Sequence, residues 1–102
     1  ATAMIIVRRT YVPKAGEGGK MLALLKEAGA AMKAAGFEQP RVLRGWHGDH
    51  GVIHTEQRWK SIAEYEGSRE TVRKTPGITG VFDRIYPTLA KTHHTEVLEE
   101  VQ

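Results

Sequence analysis

The stretch RVLRGWHGDHGVIHTEQRW, residues 41–59, holds two runs of β-forming residues around a glycine-rich centre, and its reading decides the fold. Gly48 and Asp49 tolerate the positive φ of a tight hairpin turn, so Arg41–His47 and Gly51–Trp59 are expected to be antiparallel partners. A turn centred there sets His47 opposite His50, Leu43 opposite His54, Val42 opposite Thr55 and Arg41 opposite Glu56. The register brings opposite charges together at Arg41 and Glu56 and lays the Trp46 ring over Gly51, both favourable cross-strand arrangements.

Successive strand residues point to opposite faces. One face of the expected hairpin carries Val42, Arg44, Trp46, Ile53, Thr55, Gln57 and Trp59, the other Arg41, Leu43, His47, His50, Val52, His54, Glu56 and Arg58. The first is the more apolar and holds both tryptophans, so it is expected to face the helices. Three histidines in one stretch invite a metal site, but the spacing speaks against one. His54 lies four residues along a strand from His50, about 13 Å at ~3.3 Å per residue, whereas zinc ligands sit ~2 Å from the ion. His47 and His50 alone lack a third ligand, and no metal is expected.

Outward from the hairpin, Met4–Val12 alternates as a strand with Ile5, Val7, Arg9 and Tyr11 on one side. Pro13 and the Gly16, Gly18, Gly19 cluster break it. From Glu17 to Ala35, Met21, Leu25, Ala28, Met32 and Ala35 draw one helical stripe, and Gly36 supplies the stop. Ser61-Ile62-Ala63-Glu64 has the spacing of a capping box and opens a second helix. That helix bears the stripe Ile62, Tyr65, Arg69, Val72 and ends at Thr75-Pro76-Gly77. Ile78, Val81, Phe82 and Ile85 form one more short helical face before Pro87, and Thr92–Val101 alternates as a last strand, with His93, Thr95, Val97 and Val101 on the helix side.

The order β-α-β-β-α-β predicts an α+β, ferredoxin-like fold: a four-stranded antiparallel sheet with the helices on one face. A bare second face would be an unusual exposed patch, so a homodimer through that sheet face is expected. With 102 residues the chain is expected to be one domain, spanning 1–102. No apolar run approaches the ~20 residues of a membrane helix, so no membrane partner is expected. The apolar run Met4–Val7 ends in Arg8-Arg9 without the pattern of an export signal, and zero cysteines fit a reducing cytoplasm, the expected location. The formal charge is +3, but the 15 lysines and arginines are scattered and residues 96–100 are acidic, which argues against nucleic acid.

Two segments carry a resemblance. Arg9–Gly16, RTYVPKAG, resembles the strand-to-helix entrance of NIPSNAP-type proteins. Glu56–Glu66, EQRWKSIAEYE, resembles the strand-to-helix step those proteins share with antibiotic biosynthesis monooxygenase domains. Both groups belong to the dimeric α/β barrel superfamily. The resemblance implies a homodimer whose two sheets form a barrel, with a pocket in each subunit between sheet and helices. Such proteins include oxygenases that act on aromatic polyketides and quinols without a cofactor, and haem-degrading enzymes. Trp59 matches a pocket tryptophan of the haem degraders and of some monooxygenases. The haem degraders have an asparagine where this chain aligns Arg9, and a haem-ligating histidine where it has the Arg69–Val72 region, so the resemblance argues against haem degradation.

Two functional readings follow. In the first, a pocket binds a small apolar or aromatic molecule through Tyr11, Trp46, Gln57 and Trp59, or oxidises it without a cofactor. His93 would deprotonate an electron-rich phenol, Arg9 would be the counter-charge of the anion, and the tryptophans would be stacking walls. In the second, the chain is a non-catalytic dimeric module. No Ser-His-Asp arrangement, paired-carboxylate motif, phosphate-cradling loop or H-E-x-x-H helix points elsewhere.

Overall fold

The computed structural model describes residues 4–46 and 51–101. His47, Gly48, Asp49 and His50 lie outside the described residues, and with them the expected turn and the tip of the histidine stretch. In chain order the elements are β1 (Ile5–Tyr11), α1 (Gly18–Ala34), β2 (Arg41–Arg44), β3 (Ile53–Trp59), α2 (Ile62–Arg73), α3 (Pro76–Ile85), a single 3-10 turn (Tyr86–Thr88) and β4 (His94–Glu99). The strands form one antiparallel sheet in the order β2-β3-β1-β4. This is the ferredoxin-like α+β arrangement.

The hairpin register is the one the sequence predicts: Arg41 pairs with Glu56, Val42 with Thr55 and Leu43 with His54. The inner sheet face is set by Ile5, Val7 and Tyr11 of β1, all buried, with Ile53, Thr55, Gln57 and Trp59 beside them on β3. At the sheet edges the expected face thins out. Arg44 on β2 is exposed, and Val97 on β4 is 46% exposed although it points to the helix side, because the helices cover the central strands more fully than the outer ones. β4 is also shorter than the alternation of Thr92–Val101 suggests, and His93 precedes it.

Local signals shape the helices. α1 ends in a Schellman motif: the amide of Gly36 donates to the Lys33 carbonyl at 3.0 Å and that of Phe37 to Met32 at 3.0 Å. Gly36 adopts φ 94°, where a side chain would be strained. The motif turns Phe37 inward onto Trp59, with ring centroids 5.6 Å apart. α2 starts where Ser61 accepts a hydrogen bond from the Glu64 amide at 3.1 Å, one half of the predicted capping box. Pro76, with its missing N–H and fixed φ, opens α3 and so separates it from α2.

The apolar core is in two clusters. One gathers Tyr11, Met21, Leu24, Leu25, Ala28, Ile53, Val81 and Ile85; the other gathers Ile5, Val7, Met32, Trp59, Tyr65 and Ile78. Phe82 touches both.

Candidate functional site

A cavity of about 280 Å³ lies between the inner sheet face and the helices, and its walls come from both clusters. The sheet contributes Arg9, Tyr11, Thr55, Gln57 and Trp59, and α1 contributes Leu25, Ala28, Gly29 and Met32. α2 turns Tyr65, Ser68, Arg69 and Val72 toward it, a one-sided stripe at helical spacing. Ile78 and Phe82 of α3 and His93 before β4 complete the enclosure. A more open hollow bounded by Tyr86, Leu89, Lys91, Thr92 and His93 shares Tyr86 and His93 with the cavity, so these two rings border both.

Five of the six residues expected at the site line this cavity. Arg9 and Tyr11 are there because they share β1's inner face, and Gln57 and Trp59 because they alternate in phase on β3. Trp46 is the correction: it is 84% exposed and forms no part of the cavity wall. β2 ends at Arg44, and the strand alternation that assigned Trp46 a face does not extend past it.

Arg9 donates from Nη2 to the Tyr65 hydroxyl at 3.1 Å, and Arg69 donates from Nη1 to the same oxygen at 2.6 Å. The Arg69 guanidinium also lies over the Tyr65 ring, 5.6 Å from its centroid, as a cation–π contact. Tyr65 meets Trp59 edge-on at 5.6 Å, and Phe37 braces the indole from elsewhere. The Trp59 side chain is buried and its Nε1 has no hydrogen-bond partner among the described residues. Gln57 is engaged differently. Its Nε2 donates to the Glu38 carbonyl at 2.6 Å, which ties the segment before β2 to the sheet.

His93 stacks on Tyr11 at 5.2 Å and on Tyr86 at 6.3 Å, and its buried Nδ1 is unpartnered among the described residues. Burial, then the positive charges of Arg9 and Arg69, push its pKa down, which keeps the imidazole neutral to lower pH than a free histidine. Burial pushes the Tyr11 hydroxyl up, against the lowering pull of Arg9, so it stays protonated. The site therefore combines a neutral imidazole, a protonated phenol and two guanidinium groups beside a stacking wall. Tyr65 and Arg69 were not singled out as site residues in the sequence. The signal was present in part: Tyr65 and Arg69 share the α2 stripe at i, i+4, and although Arg69 is exposed its guanidinium reaches back over the Tyr65 ring.

Among the described residues no three His, Asp or Glu side chains gather as metal ligands, and no helix is long and apolar enough to cross a membrane.

No protein-family model and no curated relative matches the sequence. Solved structures do. The chain is similar to a NIPSNAP family protein of unknown function from Agrobacterium tumefaciens, with a TM-score of 0.83, 14% identity, and coverage of 99% of this chain and 91% of that one. It is similar to a candidate antibiotic biosynthesis monooxygenase from Caulobacter crescentus, with a TM-score of 0.77, 18% identity and coverage of 99% and 92%. It also matches an anthrone oxidase-like protein at a TM-score of 0.82 and 15% identity, covering 99% of this chain but 45% of that larger one. The chain thus has the fold of NIPSNAP and antibiotic biosynthesis monooxygenase-like proteins.

Proposed function

We propose that this chain works as a homodimer whose cavity binds a small, flat, aromatic molecule and oxidises it with molecular oxygen without a cofactor. The observation that carries the reading is the cavity of about 280 Å³ walled by Trp59, Tyr65 and Tyr11, with Arg9 and His93 at its edge. Its size lies just below the roughly 300–1,000 Å³ of pockets for drug-sized ligands, which suits one or two rings. His93, held neutral, is the base that takes the proton of a phenol, and Arg9 stabilises the anion so formed. The electron-rich anion then reduces oxygen: a ring carbon bonds to O2 to give a hydroperoxide, whose O–O bond breaks as the carbon loses its hydrogen, so that one oxygen atom stays as a quinone carbonyl and the other leaves as water. The dimer forms through the sheet face opposite the helices, where Ile6, Leu43 and Leu98 lie partly exposed among charged neighbours.

The test is calorimetric titration with quinols and polycyclic phenols, followed by oxygen consumption with any compound that binds, and sedimentation to give the oligomeric state. Saturable binding with oxygen uptake that is lost in His93→Asn supports the reading. Binding without uptake removes the oxidation and leaves a binding protein. Absence of binding by all of them favours a non-catalytic module.

A further inference from the structure

We infer that the molecule taken by this cavity carries a carboxylate on its aromatic body, gripped by Arg9 and Arg69 on either side of the Tyr65 hydroxyl. The inference rests on the proposed ligand cavity and specifies the chemistry of what fills it.

The two guanidinium groups come from different elements, β1 and α2, and converge on one oxygen at 3.1 and 2.6 Å. Like charges brought this close repel, an effect that water softens at exposed Arg69 more than at half-buried Arg9, and a hydroxyl oxygen is a weak partner for two of them. Among the described residues the other convergence of two arginines is on a carboxylate, where Arg8 and Arg41 share Glu56. Among the described residues neither Arg9 nor Arg69 has an acidic group within salt-bridge distance. A third arginine, Arg73, also lines the cavity, against a single carboxylate, Asp83. The field of the pair reaches across the space, since both charges act on His93.

The donors left over define the complement. Each guanidinium is a planar fork of N–H groups with no acceptor, and such a fork matches the two oxygens of a carboxylate. The Tyr65 hydroxyl, having accepted twice, has its own hydrogen to give. An aromatic carboxylate meets these donors with acceptor oxygens while its ring covers Trp59 and Tyr65. A neutral ring of the same shape satisfies the wall and leaves the arginines as they are.

The experiment compares 2-naphthoate with 2-naphthamide by isothermal titration calorimetry on the intact wild-type protein, so that it does not depend on any variant folding. The acid is expected to bind roughly ten- to a hundredfold more tightly than the amide, the range that charge-assisted hydrogen bonds provide. The preference should shrink in Arg9→Gln and in Arg69→Gln, and should weaken as salt rises. Equal affinity for acid and amide overturns the carboxylate inference and leaves the aromatic cavity standing. A preference that survives both substitutions also overturns it, since the charge would then be read elsewhere. Failure of both compounds to bind, together with the phenols above, sinks the cavity reading itself.

Discussion

Arg8 and Glu56 face each other across the β1–β3 pairing, with the arginine's Nε donating to Glu56 Oε2 at 2.8 Å, while Arg41 holds the other carboxylate oxygen from β2 at 2.8 Å. Glu56 thus pins three neighbouring strands together on the outer sheet face. The hydrogen bond from Arg8, helped by Arg41 and opposed by burial, holds its carboxyl below the usual carboxylate range.

A carboxylate whose pKa is lower folded than unfolded adds stability above the unfolded value and loses it as pH falls through the folded one. Glu56→Gln is therefore expected to cost about 1 kcal/mol at pH 7, a modest figure because Arg41 is largely and Arg8 partly in water. The cost should shrink below roughly pH 4.3, the ordinary glutamate value, and vanish once the wild-type carboxyl is also protonated. Urea unfolding of both proteins from pH 7 down to 3 reads this directly. A gap that persists unchanged in acid would assign the loss to packing.

Gly36→Ala is expected to destabilise by about 1 kcal/mol, because alanine must adopt φ 94° there. Gly67→Ala is expected to do the opposite, adding about 0.5–1 kcal/mol, since Gly67 is inside α2 and an added Cβ meets nothing within 4 Å. Thermal unfolding should move the two melting temperatures in opposite directions. The near-ultraviolet dichroism of Gly36→Ala should also change, because the turn sets Phe37 against Trp59.

The two tryptophans should behave unlike each other. Trp59→Ala removes a side chain that is 4% exposed and is expected to cost about 3–5 kcal/mol, whereas Trp46→Ala at 84% exposure should stay within about 0.5 kcal/mol. Acrylamide should quench the emission of Trp59→Phe, which retains Trp46, far more readily than that of Trp46→Phe. Similar quenching in both would contradict the burial described above.

How much of this was legible in the sequence depends on the range of the interaction. The Gly36 stop, the Ser61 cap and the Arg41–Glu56 register were readable because each is settled by a few neighbouring residues or by one strict alternation. Arg9, Tyr11, Gln57 and Trp59 followed from the same alternation on the central strands. Trp46 did not, since alternation holds only while a strand lasts. Tyr65 and Arg69 needed the third dimension: nothing local shows that an α2 phenol receives guanidinium groups from both β1 and its own helix.

The cavity between sheet and helices bears on the lifetime of the molecule. A ring lying against Trp59, Tyr65 and Tyr11 would add dispersion contacts that these walls do not make with one another. A ligand that binds only the native state at a hundred times its dissociation constant adds about 2.7 kcal/mol, which for a domain of this size is on the order of 10 °C in melting temperature. Proteases attack the transiently open chain, and the population of that state falls with each increment of stability. If the proposed ligand fills the cavity, its occupancy would govern turnover, and the abundance of the protein in a cell would follow the supply of that ligand.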